Sequence, residues 1–461
     1  MIEINLKNAE KKQCIKGFGT SACWWSQNIA DEKTAKEISD LLYTEKGLNL
    51  NIYRYNIGGG WNEGNCRVTN PWRKCESFLV YDDKNEAENY HGSGYDFSRD
   101  KNAYRFMKLC LKKGNIDTVI LFANSPHYSF TASGQASGSL MHHTCNLPKS
   151  NYRRFAEYFL DITEHFIKDG IPVTHISPIN EPQWKWGGNY VWQEGCHYEP
   201  EEVCRVFRIF AEELEKRNLN IKLYGPESGE IGGLTAEYLK LFLNDRLIMK
   251  HLGVFAIHSY HADNNTEIRK QFCREITEQH PDIRFDMSEW CELPCRNDTK
   301  SIKGALITAR VIGNDLSLLG VQSWTGWVAV NQIADNRDNG KDYSDGLLSA
   351  TNGFSHYSIA KRYYGFAHFS KFIGKDALVT DTHYIPQDKI SIFTFLNKDE
   401  SEIAVIVNEG KANDIEITSS AAYCEIYSTT QKSNLHCDYS GFFRQQIHIK
   451  AYSITTVKLW K

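Results

Sequence analysis

From about residue 17 to residue 373, short β-branched apolar runs alternate with longer stretches of helical period. The runs predict eight strands, at 17–25, 48–57, 117–124, 173–180, 221–226, 254–260, 283–289 and 321–327. Between them lie helix patterns such as 31–47, where Asp31 is placed to cap and Gly47 to stop, and 150–170, closed by Gly170. Eight strands with interleaved helices predict an α/β fold, a (β/α)8 barrel over 15–373, with a doubly wound open sheet as second choice. After residue 373 the period falls to two, in runs such as KISIFTFLN and EIAVIVNEG, with no helix between them. That pattern predicts an antiparallel β-sandwich over 374–461, completed by residues 1–14, whose EINLKN run comes too early for the barrel. With no low-complexity linker in between, the two modules are expected to pack together.

Charge changes this picture by subtraction. The chain carries 53 basic and 57 acidic residues, a net charge of -4, so no global field attracts nucleic acid and none is expected as a partner. No segment approaches the roughly 20 apolar residues of a membrane helix, so no membrane span is expected. The 13 cysteines include no CxxC pair and read as mostly buried thiols. Together with an opening, MIEINLKNAEKK, that has no apolar signal core, they suggest a cytoplasmic location, or a secreted one if a leader has been removed. The sequence carries no signal for oligomeric state. Aromatic residues make up 13% of the chain, which suits sugar binding, because Tyr and Trp offer an apolar face beside a polar edge; an aromatic-rich core accounts for it equally.

In a barrel, active groups belong at the C-terminal ends of the strands. The fourth predicted strand ends Asn180-Glu181-Pro182 and the seventh ends Ser288-Glu289-Trp290. Two carboxylates rising from different sides of a barrel mouth form the constellation that glycoside hydrolysis needs, one as proton donor and one as nucleophile. Arg54, ending the second strand, is the candidate to keep a nucleophilic carboxylate ionised, and Asn180 to hydrogen-bond a sugar 2-hydroxyl. The sixth strand ends AIHSYHA and supplies His258, Tyr260 and His261.

The ordered set GFGTS, RYNIGGG, SPINEPQW and DMSEW, at strands one, two, four and seven, resembles glycoside hydrolase family 30, over residues 17 to about 372. The resemblance implies a retaining β-glycosidase working by double displacement, with Glu181 as acid/base and Glu289 as nucleophile. It further implies that Tyr260 hydrogen-bonds the nucleophile and that Trp324, in SWTGW, forms the platform beneath the sugar next to the cleavage point. Retention requires the two carboxyl groups to stand ~5 to 5.5 Å apart.

Trp24, Trp25, Trp184, Trp186 and Trp192 fall in or just after mouth loops, which suggests a cleft for an oligosaccharide or polysaccharide. The strand-three segment FANSPHYSFTASGQASG, together with QEGC at 193–196, looks most like the β-1,6-galactanase branch of the family. Its small residues Ser133, Gly134, Ser137 and Gly138 are expected to leave space in which Asn124, His127 or Glu194 reaches an axial hydroxyl, making β-1,6-linked galactan or galacto-oligosaccharides the expected substrate. The other family specificities remain alternatives: β-glucosidase or glucosylceramidase-like, β-xylosidase or xylanase, and β-1,6-glucanase. So do a non-catalytic sugar-binding barrel and an enzyme trimming oligosaccharides from one end. HSYHAD and MHHTC lack metal-ligand spacing, and GGG at 58–60 is no phosphate cradle, so neither metal nor cofactor is expected.

Overall fold

The computed structural model describes the chain apart from residues 1, 69, 81–93, 142–143, 190–191, 297, 333–336, 339–340, 343, 383 and 385–388. His142 and His143 therefore lie outside the described residues. Eight parallel strands close into a barrel: Gly17–Ser21, Ile52–Asn56, Thr118–Phe122, His175–Ser177, Lys222–Ser228, Leu252–His258, Phe285–Glu289 and Ser323–Val328, the last pairing back onto the first. All eight fall at the expected places, and the open sheet is excluded by that closure. Strand alternation sends one set of side chains to the barrel axis and the other to the helices. On the second strand Tyr53 and Tyr55 face outward into the large core, while Ile52 joins Ile120, Tyr224, Val254 and Ala256 in a small apolar plug inside the barrel.

Helix ends follow the local sequence. Asp31 accepts the Thr34 amide at 2.7 Å and starts the helix Glu32–Tyr43. Gly170, at φ 83°, takes the left-handed turn after the helix Tyr152–Lys168, a conformation with little steric cost only for glycine.

The strands beyond the barrel form two sheets. Seven antiparallel strands run in the order Glu10–Cys14, Leu378–Asp381, Ile390–Leu396, Glu402–Asn408, Ser453–Trp460, Tyr423–Thr429 and His436–Phe442. Against them lie Ile2–Asn5, Asn413–Thr418 and Gln446–Ile449. The N-terminal run thus joins the sandwich as expected, but it pairs parallel to Asn413–Thr418, so the sandwich is not wholly antiparallel. One face of the larger sheet packs on the smaller through Ile406, Val457 and Leu459, and the other, through Val405 and Ile454, merges with the barrel core. His368, on helix Lys361–Ser370, bridges Thr456 at 2.7 Å and Thr429 at 2.9 Å, pinning barrel to sandwich. Burial keeps this imidazole neutral, with a pKa lowered to about 3. No helix among the described residues is long and apolar enough to cross a membrane.

Candidate active site

Above the apolar plug the inward positions turn polar. Arg54 follows Ile52 on its strand and His258 follows Ala256, each two residues on and therefore on the same face. The fourth strand leads to Asn180 and Glu181, Glu227 sits near the end of the fifth, and Glu289 ends the seventh. All six are buried, with Glu181 the most exposed at 8%.

Arg54 is the hub. Its Nη1 donates to Glu289 Oε2 at 2.8 Å, and its Nη2 donates to Asn180 Oδ1 at 3.0 Å and Glu227 Oε1 at 3.2 Å. Tyr260 donates its hydroxyl to the other oxygen of Glu289 at 3.2 Å. Both oxygens of Glu289 thus accept from donors that favour the ionised form, one of them a permanent cation. His258 stands between carboxylates, with Nδ1 3.1 Å from Glu181 Oε1 and Nε2 3.2 Å from Glu227 Oε2. Glu227 also accepts from Ser177 at 2.9 Å and from the Ser288 hydroxyl.

Burial alone would strip these groups of charge; their neighbours decide otherwise. Burial works against a charged His258, but Glu289, Glu181 and Glu227 outweigh it and raise the imidazole to about 10. Burial likewise opposes a charged Glu227, but Arg54 and His258 hold its carboxyl down at about 2. Glu289 is pushed up to about 6, first by burial and then by the Glu181 and Glu227 charges, against the pull of His258 and Arg54. One carboxylate oxygen of Glu181, one of Glu289 and a ring nitrogen of His258 lie within 4.8 Å of one another. This is the one group of potential metal ligands among the described residues, and a protonated His258 has no lone pair to offer a metal.

A cavity of about 990 Å³ opens over Glu181 and Glu289. Trp24, Trp72, Trp184, Trp186, Trp192 and Trp327 line it, six of the chain's 11 tryptophans, so more than half of the tryptophans gather at the mouth. Asn124, Asn180 and Tyr260 line it too. Trp186 donates its indole N–H to the Glu181 carbonyl at 3.1 Å, fixing the loop that carries this carboxylate.

Several expectations are corrected. Trp324 is not a platform: it points outward, donates to Asp315 at 2.9 Å and packs on Phe366 in the core. Trp327 lines the cavity instead, edge-on to Trp24 at 5.3 Å. Trp25 is also core, donating to the Ser21 carbonyl and packing on Phe106, while Trp24 faces the cavity. His258 is fully buried beneath the carboxylates and touches them, not the cavity. Glu194 lies behind the wall, accepting the Gly59 amide, and His127 is buried against Ser129. The small residues of the strand-three loop do not open space over the dyad. Gly138, at φ 93°, lets that loop close onto the Trp186 backbone, where a Cβ would meet the Trp186 carbonyl carbon at 2.5 Å.

Sequence reasoning missed Glu227, although PES ending the fifth strand repeats the signal that revealed Glu181 and Glu289. It also missed the short strands Val330–Gln332, Leu348–Ala350 and Tyr357–Ile359 after the eighth barrel strand, a segment that brings Asn331 and Asp345 to the cavity.

A closed barrel with two carboxylates close together under an aromatic-lined cavity has the arrangement that glycoside hydrolysis requires. A sequence model of O-glycosyl hydrolase family 30 matches residues 1–348, and the chain belongs to that family. Over 223 residues it is 26% identical to an endo-beta-1,6-galactanase of Hypocrea rufa, a match covering 44% of this chain and 45% of that protein, so it spans about half the relative's length. A Caenorhabditis elegans protein bearing a glucosylceramidase name is 22% identical over 440 residues, 90% of this chain and 78% of that one. Among solved structures, a conserved exported protein from Bacteroides fragilis shares the fold with a TM-score of 0.85 at 23% identity, covering 99% of this chain and 100% of that one.

Proposed function

We propose that this chain is a retaining β-glycosidase in which Glu181 is the acid/base and Glu289 the nucleophile. The observation that carries the reading is the close approach of these two carboxylates, one oxygen of each lying within 4.8 Å of the other, with both oxygens of Glu289 engaged by Arg54 and Tyr260. Inverting enzymes separate their carboxyl groups by ~6.5 to 9.5 Å to admit a water, and retaining ones by ~5 to 5.5 Å. In the first step Glu289 attacks the anomeric carbon while Glu181 passes its proton to the departing oxygen, leaving a glycosyl ester on Glu289. In the second, Glu181 takes a proton from water as that water attacks the anomeric carbon, and Glu289 leaves as the carboxylate. Asn180, held by Arg54 at 3.0 Å, would hydrogen-bond the sugar 2-hydroxyl.

For the sugar we propose β-1,6-linked galactan or its oligosaccharides. The Hypocrea rufa relative supports this, as does a cavity whose volume and tryptophan walls exceed the needs of one sugar. The test is a screen of aryl β-galactoside, β-glucoside, β-xyloside and β-fucoside beside β-1,6-galactan and xylan, with the first-formed anomer read by NMR. We expect galacto-configured substrates to lead and the β-anomer to form first. A lead for gluco- or xylo-substrates overturns the sugar, and an α-anomer overturns the mechanism. Oligomeric products from polymer distinguish internal cleavage from trimming at one end.

A further inference from the structure

Neither of the two proposed steps uses Glu227, yet it is fully buried beside both reacting carboxylates and holds φ at 58°, a left-handed conformation that is strained for a residue with a Cβ. A charge so placed persists only with its partners in position. It has four side-chain donors, divided between its oxygens. Oε1 accepts from Arg54 and Ser177, and Oε2 accepts from His258 and Ser288. Arg54 has two further acceptors, Asn180 and Glu289, whereas among the described residues the only carboxylate His258 meets on its Nε2 side is Glu227.

We propose that Glu227 is a positioning residue for the acid/base step, holding the His258 ring as a cation whose Nδ1–H is aimed at Glu181 Oε1. The inference rests on the glycosidase reading above. With His258 donating to Oε1, the transferable proton of Glu181 is left to Oε2. Before reaction the buried charges then balance, with Arg54 and His258 positive against Glu227 and Glu289. In the first step Glu289 becomes a neutral ester and Glu181 becomes the anion, so negative charge leaves one residue and appears on the other. His258 Nδ1 lies 3.1 Å from Glu181 and 3.8 Å from Glu289, so one fixed cation serves the charge at both positions. The charged and titratable groups around the ring are Arg54, Glu181, Glu227, Tyr260 and Glu289, with the Ser288 hydroxyl beside them on Glu227. Removing the Glu227 charge lets the imidazole release its proton, and Glu181 then holds its own more tightly.

The test compares wild type with Glu227→Gln on the benzyl and 2,4-dinitrophenyl β-glycosides of whichever sugar the wild type cleaves fastest. The benzyl leaving group needs a proton and dinitrophenolate does not. For Glu227→Gln we expect kcat/KM to fall on the order of 100-fold on the benzyl glycoside and less than about tenfold on the dinitrophenyl one. The alkaline limb of its pH profile should rise by about one unit, with the acid limb little moved. Glu227→Asp, which keeps the charge, should restore the alkaline limb. Equal losses on both substrates, or an unmoved alkaline limb, would overturn the proposal by reducing Glu227 to a structural role. Should Glu227→Gln not fold, His258→Asn removes the same cation while leaving Glu227 on Arg54, and the same two readouts decide. A wild type that hydrolyses no glycoside defeats the glycosidase reading and this proposal with it; an active wild type whose variants keep its pH profile defeats this proposal alone.

Discussion

The backbone amide of Glu181 donates to the carbonyl of Glu227 at 2.9 Å, and both residues hold left-handed φ, 46° and 58°. Two glutamates from neighbouring strands are therefore tied through the main chain as well as through His258. Such conformations are costly for residues with a Cβ and gather where side-chain direction matters more than local stability. This pair aims its carboxylates at opposite ring nitrogens of one imidazole.

The dyad should separate by chemical rescue. Glu289→Gln and Glu181→Gln are each expected to lose hydrolysis on the order of 1,000-fold or more. For Glu181→Ala acting on an activated aryl glycoside, azide should restore turnover and yield a β-glycosyl azide, because the ester on Glu289 still forms. Identical responses of Glu181→Ala and Glu289→Ala to azide would refute the assignment.

On the acid side, kcat/KM should fall below about pH 6, where the buried Glu289 carboxyl takes up a proton and ceases to be a nucleophile. A pH–rate profile measures this directly.

Stability should show a separate alkaline dependence. The folded pKa of His258, about 10, lies above its ordinary value, so its contribution is complete below about pH 6.5 and is lost as pH rises through 10. Tm should therefore decline from neutral pH toward pH 10 more steeply in wild type than in His258→Asn, as thermal melts across that range would reveal.

The two tryptophans of SWTGW should behave oppositely. Trp324→Ala removes a core side chain and should cost ~3–5 kcal/mol of stability. Trp327→Ala, at the cavity wall, should leave Tm nearly unchanged and lower kcat/KM by about tenfold or more. Denaturant titration and steady-state kinetics on the same two variants distinguish core from wall.

Prolonged chelation should leave activity intact, because a protonated His258 offers no lone pair and the Glu289 oxygens already accept from Arg54 and Tyr260. Activity lost to chelator and restored by a divalent cation would contradict this.

Much of the architecture was legible along the chain. Eight apolar runs with helical stretches between them specify alternating strands and helices because period and spacing are properties of neighbouring residues, and closure of the sheet chose the barrel over the open sheet. Apolar runs ending in Asn180-Glu181 and Ser288-Glu289 put two carboxylates at strand ends, and a barrel brings strand ends together. Arg54 and Asn180 were named on the same logic and Tyr260 on the family resemblance, and the structure places all three in contact with one another or with Glu289. What the chain alone left undecided depends on register and on partners distant in sequence. Trp324 and Trp327 differ by three positions, and strand parity together with a shift in register between Gly326 and Val328 decides which of them faces the cavity. The sequence could have shown Glu227 at a strand end, but its place in a buried charge network exists only once Arg54, 173 positions earlier, and His258, 31 later, are brought against it. Gly138 of the strand-three loop reads as open space until the Trp186 backbone fills it. Periodicity is local and survives in the sequence; a buried charge network exists only when strands from across the barrel supply its counter-charges, and so it belongs to the tertiary structure.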